Sequence, residues 1–125
     1  MCQQRAQRLR FDVLTLFPEV FEPVLKCSIL GLAAAKGLVE FHLHDIRDYS
    51  EDKHRKVDDR PYGGGPGMVI QCEPVFRACE AVRDMAPEPG RLILLTPQGR
   101  RLDDAAAREY ARADRLLLLC GHYEG

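Results

Sequence analysis

The chain has 125 residues, 46% of them hydrophobic and 30% charged, with a formal net charge of −1. That length fits one domain burying roughly two-thirds of its unfolded surface, and the near-neutral balance excludes a global positive field, so any nucleic acid must be held by local basic patches. Five scattered cysteines with no C-x-x-C pair exclude a disulfide framework or zinc module and read as reduced, mostly buried thiols, while no apolar run approaches the roughly 20 residues a bilayer span needs.

A leader over residues 1–8, with Arg5 and Arg8 and little that is apolar, is expected to be disordered. Residues 10–16 place Phe11, Val13 and Leu14 around a lone Asp12, the pattern of a strand with a buried face. Pro18 then suits a first helical turn, Glu19 complements the dipole there, and Val20, Val24 and Leu25 recur at helical spacing. Pro23 shortens or bends that helix. A second helical piece over 29–36 ends at Gly37, a left-handed cap. Residues 39–44 alternate Val39, Phe41 and Leu43 with Glu40, His42 and His44, a half-buried strand with one polar face. The two histidines read as exposed strand residues rather than ligands, so no metal is expected.

From residue 45 to 60 apolar residues almost vanish. Two readings stand open here: a solvated mixed-charge loop, or Lys53, Arg55, Lys56 and Arg60 on RNA phosphates with a carboxylate accepting from a base edge. Residues 57–68 read Val-Asp-Asp-Arg-Pro-Tyr-Gly-Gly-Gly-Pro-Gly-Met. Glycine's entropy cost and proline's missing donor exclude a regular helix or central strand, so this is a loop in which backbone can approach a ligand. It lacks the Gly-Lys-Ser/Thr ending of a Walker loop, and no register gives G-x-G-x-x-G, which disfavours nucleotide triphosphatases and ordinary Rossmann enzymes.

Residues 73–85 form an amphipathic helix, with Val75, Phe76, Cys79, Val82 and Met85 opposite Arg77, Glu80, Arg83 and Asp84. The runs 92–95 and 116–120 are continuously apolar and predict strands buried on both faces. Between them Asp103 or Asp104 caps a helix reaching about residue 113. The class is therefore α/β, a mostly parallel sheet flanked by helices. Ligands of such sheets collect beyond the strands' carboxyl ends, here Thr96-Pro97-Gln98-Gly99 and Gly121-His122-Tyr123-Glu124-Gly125. Tyr123 can stack on a planar group and Glu124 can accept from a ribose or a base.

Thr15 to Glu19, the stretch from Val57 to Met68, Thr96 to Arg100 and Cys120 to Gly125, in this order and spacing, resemble the bacterial tRNA (guanine-N1)-methyltransferases, the TrmD family of the SPOUT superfamily. The resemblance covers nearly all of the chain from residue 10. It implies a dimeric, cytoplasmic α/β enzyme with a trefoil knot, one of the rare exceptions to unknotted chains. Such an enzyme moves a methyl from S-adenosylmethionine to N1 of guanosine 37 of tRNA. It further implies that Leu95, Thr96, Pro97 and Gly99, with Gly121, Tyr123, Glu124 and Gly125, line the cofactor pocket. Pro66 and Gly67 would hold the guanine, with Glu124 beside it and Asp58, Asp59 and Arg60 facing tRNA.

Removal of the N1 proton requires a base. From the residues themselves Asp58, Asp59 and Glu124 all qualify, whereas the resemblance puts the catalytic aspartate and its arginine beyond Gly125. On that reading residues 9–125 are the N-terminal methyltransferase domain, truncated so that the knot is incomplete and the C-terminal domain absent, and the fragment alone is expected to be inactive. His122 stands where an arginine is common. The alternative is a non-catalytic RNA-binding or dimerisation module that keeps the fold.

Overall fold

The computed structural model describes residues 8–50, 58–59, 69–70 and 72–121. The first strand, β1 (Leu9–Thr15), feeds α1 (Pro18–Leu25), with Pro18 at the start of the helix and Glu19 in its first turn. The helix α2 (Ser28–Ala35) follows, and Gly37 at φ 76° turns the chain into β2 (Val39–Asp45). Only glycine takes that left-handed conformation without steric cost. A 3-10 turn (Ile46–Tyr49) is capped by Asp45, whose carboxylate accepts from the Arg47 amide at 2.9 Å. Charge density alone gave no sign of it.

Asp58 and Asp59 form a two-residue strand β3 (Asp58–Asp59), antiparallel to β4 (Val69–Ile70), with Asp58 opposite Ile70 and Asp59 opposite Val69. The first two acids of the glycine-rich stretch are thus ladder residues rather than free loop. The rest of that stretch, with Arg60, Pro66 and Gly67, lies outside the described residues, as do Tyr123, Glu124, Gly125 and residues 1–7 of the leader expected over 1–8; its last residue, Arg8, is placed against β2, donating to Glu40 at 2.6 Å and to the Gly37 carbonyl at 3.3 Å.

Helix α3 (Cys72–Arg83) leads to β5 (Arg91–Leu95), α4 (Asp104–Tyr110) and β6 (Arg115–Cys120). Asp103 caps α4, its carboxylate accepting from the Ala106 amide at 2.8 Å. The helix ends at Tyr110, short of residue 113.

The four long strands pair in the order β2-β1-β6-β5, all parallel. On one sheet face Leu14, Leu16 and Leu117 pack with Ile46 of the 3-10 turn and with Ala78 and Val82 of α3. The buried stripe of α3 is therefore the row through Ala78 and Val82, and Phe76 and Met85, expected inside, are exposed. Phe76 lies two residues from Ala78, a step that puts it on a different side of a 3.6-residue helix.

The apolar run of β5 predicts two-sided burial, yet β5 is an edge strand and Leu94 is 57% exposed. Periodicity reports what a strand's faces are made of, not whether anything covers them. Helices α1 and α2 likewise bury no residue, leaving Val20, Val24, Ile29 and Leu32 open. Of the thiols described, Cys120 is buried, Cys79 half-buried and Cys27 exposed, so the expectation of burial fails at Cys27. Burial pushes the Cys79 and Cys120 thiols up, which keeps them protonated.

Candidate functional site

Leu95 and Cys120 are register partners, so the chain leaves β5 and β6 side by side at the carboxyl end of the sheet. The β5 exit is a tight turn. Thr96 Oγ1 accepts from the Gln98 amide at 3.2 Å, and the Gly99 amide donates to the Thr96 carbonyl at 3.4 Å. A β-carbon on Gly99 would press on the Thr96 methyl at 3.3 Å. Gly121 differs, because among the described residues a β-carbon there would meet nothing within 4 Å and its φ is not left-handed. Its missing side chain leaves open space rather than relieving strain.

Beside this turn lies a groove of about 980 Å³. Its floor is the second sheet face, with Phe11, Ile93, Leu116 and Leu118, and its far wall is α4, with Ala107 and Tyr110. Leu95, Thr96, Pro97 and Gly99 all line it. Four of the eight residues expected at the cofactor thus share one cavity, and Gly121 sits at the adjoining strand end. An apolar cleft edged by backbone polar groups is the usual form of a small-molecule site. The lining also suits an adenosyl group, with apolar surface for a ring and backbone carbonyls of the turn for its polar edge.

At the same end of the sheet, beyond β1 and β2, the Phe17 amide donates to Thr15 Oγ1 at 3.1 Å. Arg47 Nη1 donates to the Leu16 carbonyl, and its guanidinium lies 5.2 Å above the Phe17 ring. Arg47 belongs to the charged run that reads as solvated loop or phosphate contact. Here it ties two strand ends together, a cation–π contact adding to the hydrogen bond.

Residues 9–125 match the family model described as tRNA (Guanine-1)-methyltransferase TrmD. The chain belongs to that family. A tRNA (guanine-N(1)-)-methyltransferase of Rhodopirellula baltica is 55% identical over 118 residues, covering 94% of this chain and 49% of the relative. One of Dehalococcoides mccartyi is 52% identical over 117 residues, covering 94% and 47%. Among solved structures, the tRNA (m1G37) methyltransferase of Aquifex aeolicus superposes with a TM-score of 0.85 at 35% identity, covering 94% of this chain and 53% of that one. The chain spans about half the length of the curated relatives it matches.

This TrmD chain also holds a buried ionic cluster that pattern reading passes over. Asp12 and Arg115 are fully buried, with Arg115 Nε 2.7 Å from Asp12 Oδ2. Arg10 Nε reaches the same carboxylate oxygen at 2.9 Å, and His44 Nε2 lies 2.8 Å from Oδ1. His44 is therefore not the exposed strand residue its alternation implies. Arg115 also donates to the carbonyls of Arg83 at 2.8 Å, Glu88 at 3.2 Å and Val82, binding the carboxyl end of α3 to the sheet. A lone aspartate inside an apolar strand was the available signal, since a buried carboxylate demands a partner. Its partner lies 103 residues away. His42 Nε2 stands 3.6 Å from Glu40, and among the described residues no group of three or more His, Cys, Asp or Glu is placed to hold a metal. No described helix is long and apolar enough to cross a membrane.

Proposed function

We propose that this chain is the cofactor-binding and guanine-facing part of a tRNA (guanosine-37 N1)-methyltransferase that uses S-adenosylmethionine. What supports the reading is the family match over residues 9–125, together with a groove at the strand ends lined by Leu95, Thr96, Pro97 and Gly99. Bound S-adenosylmethionine would supply an electrophilic methyl on a sulfonium. The chain's own part is positional. The groove floor holds the adenosyl group, the turn over 96–99 offers backbone carbonyls, and Gly121 leaves room where β6 ends. Alignment of an attacking nitrogen with a methyl can account for about 7–11 kcal/mol of barrier in favourable cases.

Pro66 and Gly67 would present the guanine, with Asp58, Asp59 and Arg60 on the tRNA side and Tyr123, Glu124 and Gly125 completing the pocket. Asp12 is not the base, because its carboxylate is buried and taken up by Arg10, His44 and Arg115. That task falls to Asp58, Asp59 or Glu124, or to the aspartate that the family resemblance puts beyond Gly125. A homodimer fits the open apolar faces of α1 and α2, where Ile29 is 77% exposed, and a tRNA-modifying role fits the cytoplasm.

The test uses the protein expressed from its complete reading frame. With labelled S-adenosylmethionine, label should enter tRNA carrying guanosine at position 37 and not tRNA with adenosine there. Gly121→Val should weaken cofactor binding by well over tenfold, about 1.4 kcal/mol per decade, in a calorimetric titration with circular dichroism unchanged. Unaltered cofactor affinity would move the pocket elsewhere, and tRNA binding without transfer would favour the non-catalytic module.

A further inference from the structure

We propose that Arg91 and Arg100, which lie over Tyr110, and Arg101, which lines the same groove as Arg100 and Tyr110, form a second contact for the phosphate backbone of the RNA substrate. The inference rests on the tRNA reading above and adds to it a surface away from the glycine-rich loop. Arg91 begins β5, Arg100 and Arg101 follow the turn over 96–99, and Tyr110 ends α4, so three separate segments bring their side chains to one place. Two guanidiniums lie over the Tyr110 ring, Arg91 at 4.9 Å and Arg100 at 6.0 Å from its centroid. Arg100 Nη2 is also 3.4 Å from the Tyr110 hydroxyl.

A single carboxylate serves this group. Glu109 accepts from Arg91 at 2.7 Å and stands 3.6 Å from Arg100. Arg101 is exposed and has no ion pair or hydrogen bond among the described residues. Two guanidiniums therefore share one carboxylate and a third has none among the described residues, in a chain whose overall charge is −1. Exposed ion pairs of this kind contribute little to stability, so packing does not account for the excess.

Phosphate does account for it. The guanidinium fork matches phosphate oxygens bidentately. All three positions are arginine rather than lysine, the choice that favours fork geometry over a point charge. Arg100, Arg101 and Tyr110 also line the groove proposed for the methyl donor.

The experiment measures tRNA affinity of the complete protein by fluorescence anisotropy between about 50 and 200 mM salt. Each phosphate that the protein no longer neutralises lowers the slope of log affinity against log salt by about 0.7–0.9. The Arg91→Ala, Arg100→Ala, Arg101→Ala triple variant should lower the slope by about 2.4, and Arg101→Ala, which leaves no partner unpaired, by about 0.8. Arg101→Lys should keep the slope while affinity falls, because an ammonium retains the charge and lacks the fork. Unchanged slopes in the triple and single variants, with tRNA still methylated by the unsubstituted protein, would overturn this inference and leave the proposed function standing. A changed sedimentation coefficient with an unchanged slope would assign the cluster to a protein interface and also overturn it. Failure of the unsubstituted protein to bind tRNA would instead remove the tRNA reading and this inference with it.

Discussion

Asp12 occupies a site where an unpaired carboxylate would be most costly, at the centre of the sheet with no solvent contact. Burial alone would push its pKa up, but hydrogen bonds from His44, Arg10 and Arg115 outweigh that and hold the carboxyl well below the usual carboxylate range. An unfolded chain protonates this group near pH 3.9, while the folded chain keeps it ionised to lower pH. Its stabilisation is thus complete above about pH 4 and is lost as pH falls through the lower folded value. Asp12→Asn should cost about 3–5 kcal/mol at neutral pH, since Arg115 is left buried without its counter-charge. The variant should also lose less further stability between about pH 4 and pH 2 than the parent. Urea unfolding across that range decides it, and parallel stability profiles would show that the cluster is not what titrates.

Helices α1 and α2 are joined by a sharp corner, with Ser28 at φ 52° opening the second helix. Gly31 sits inside that helix, where alanine would ordinarily gain about 1 kcal/mol in propensity. A β-carbon there, however, would lie 2.4 Å from the Lys26 carbonyl oxygen and 2.8 Å from its carbon. Both contacts are backbone, which cannot rotate away, and overpacking costs about 1–3 kcal/mol. The clash offsets or outweighs the propensity, so Gly31→Ala should lose up to about 2 kcal/mol net. Thermal unfolding measures this directly, and a raised midpoint would mean that the corner relaxes freely. Gly90 carries a comparable constraint, since a β-carbon would run into the Leu117 side chain.

For the whole molecule, the parallel order β2-β1-β6-β5 makes β1 and β6 the inner strands and leaves β2 and β5 as edges. Pairing β1 with β6 closes a loop of about a hundred residues, with Arg10 opposite Arg115 in the register. Native-state hydrogen exchange should therefore find the amides of Val13, Leu14, Leu116 and Leu117 opening only with global unfolding, and those of Leu92 and Leu94 exchanging through local opening. Equal protection in β5 and β6 would contradict that ranking.

Much of this was legible in the residues themselves. Strand and helix positions follow from short-range pattern, because side-chain period, proline, glycine and capping groups act over a few residues: Pro18 starts α1, Gly37 turns the chain, and Asp103 caps α4. The family, too, is carried by contiguous motifs. Long-range pairing decided the rest. That Arg115 answers Asp12, that His44 turns inward to the same carboxylate, and that β5 has an uncovered edge depend on which strands become neighbours. A charge separated from its partner by a hundred residues leaves no local period, and an apolar strand reads the same whether or not another element lies against it. The arginines round Tyr110 belong with these, since their shared excess of charge exists only once β5, the turn and α4 have been brought to one rim.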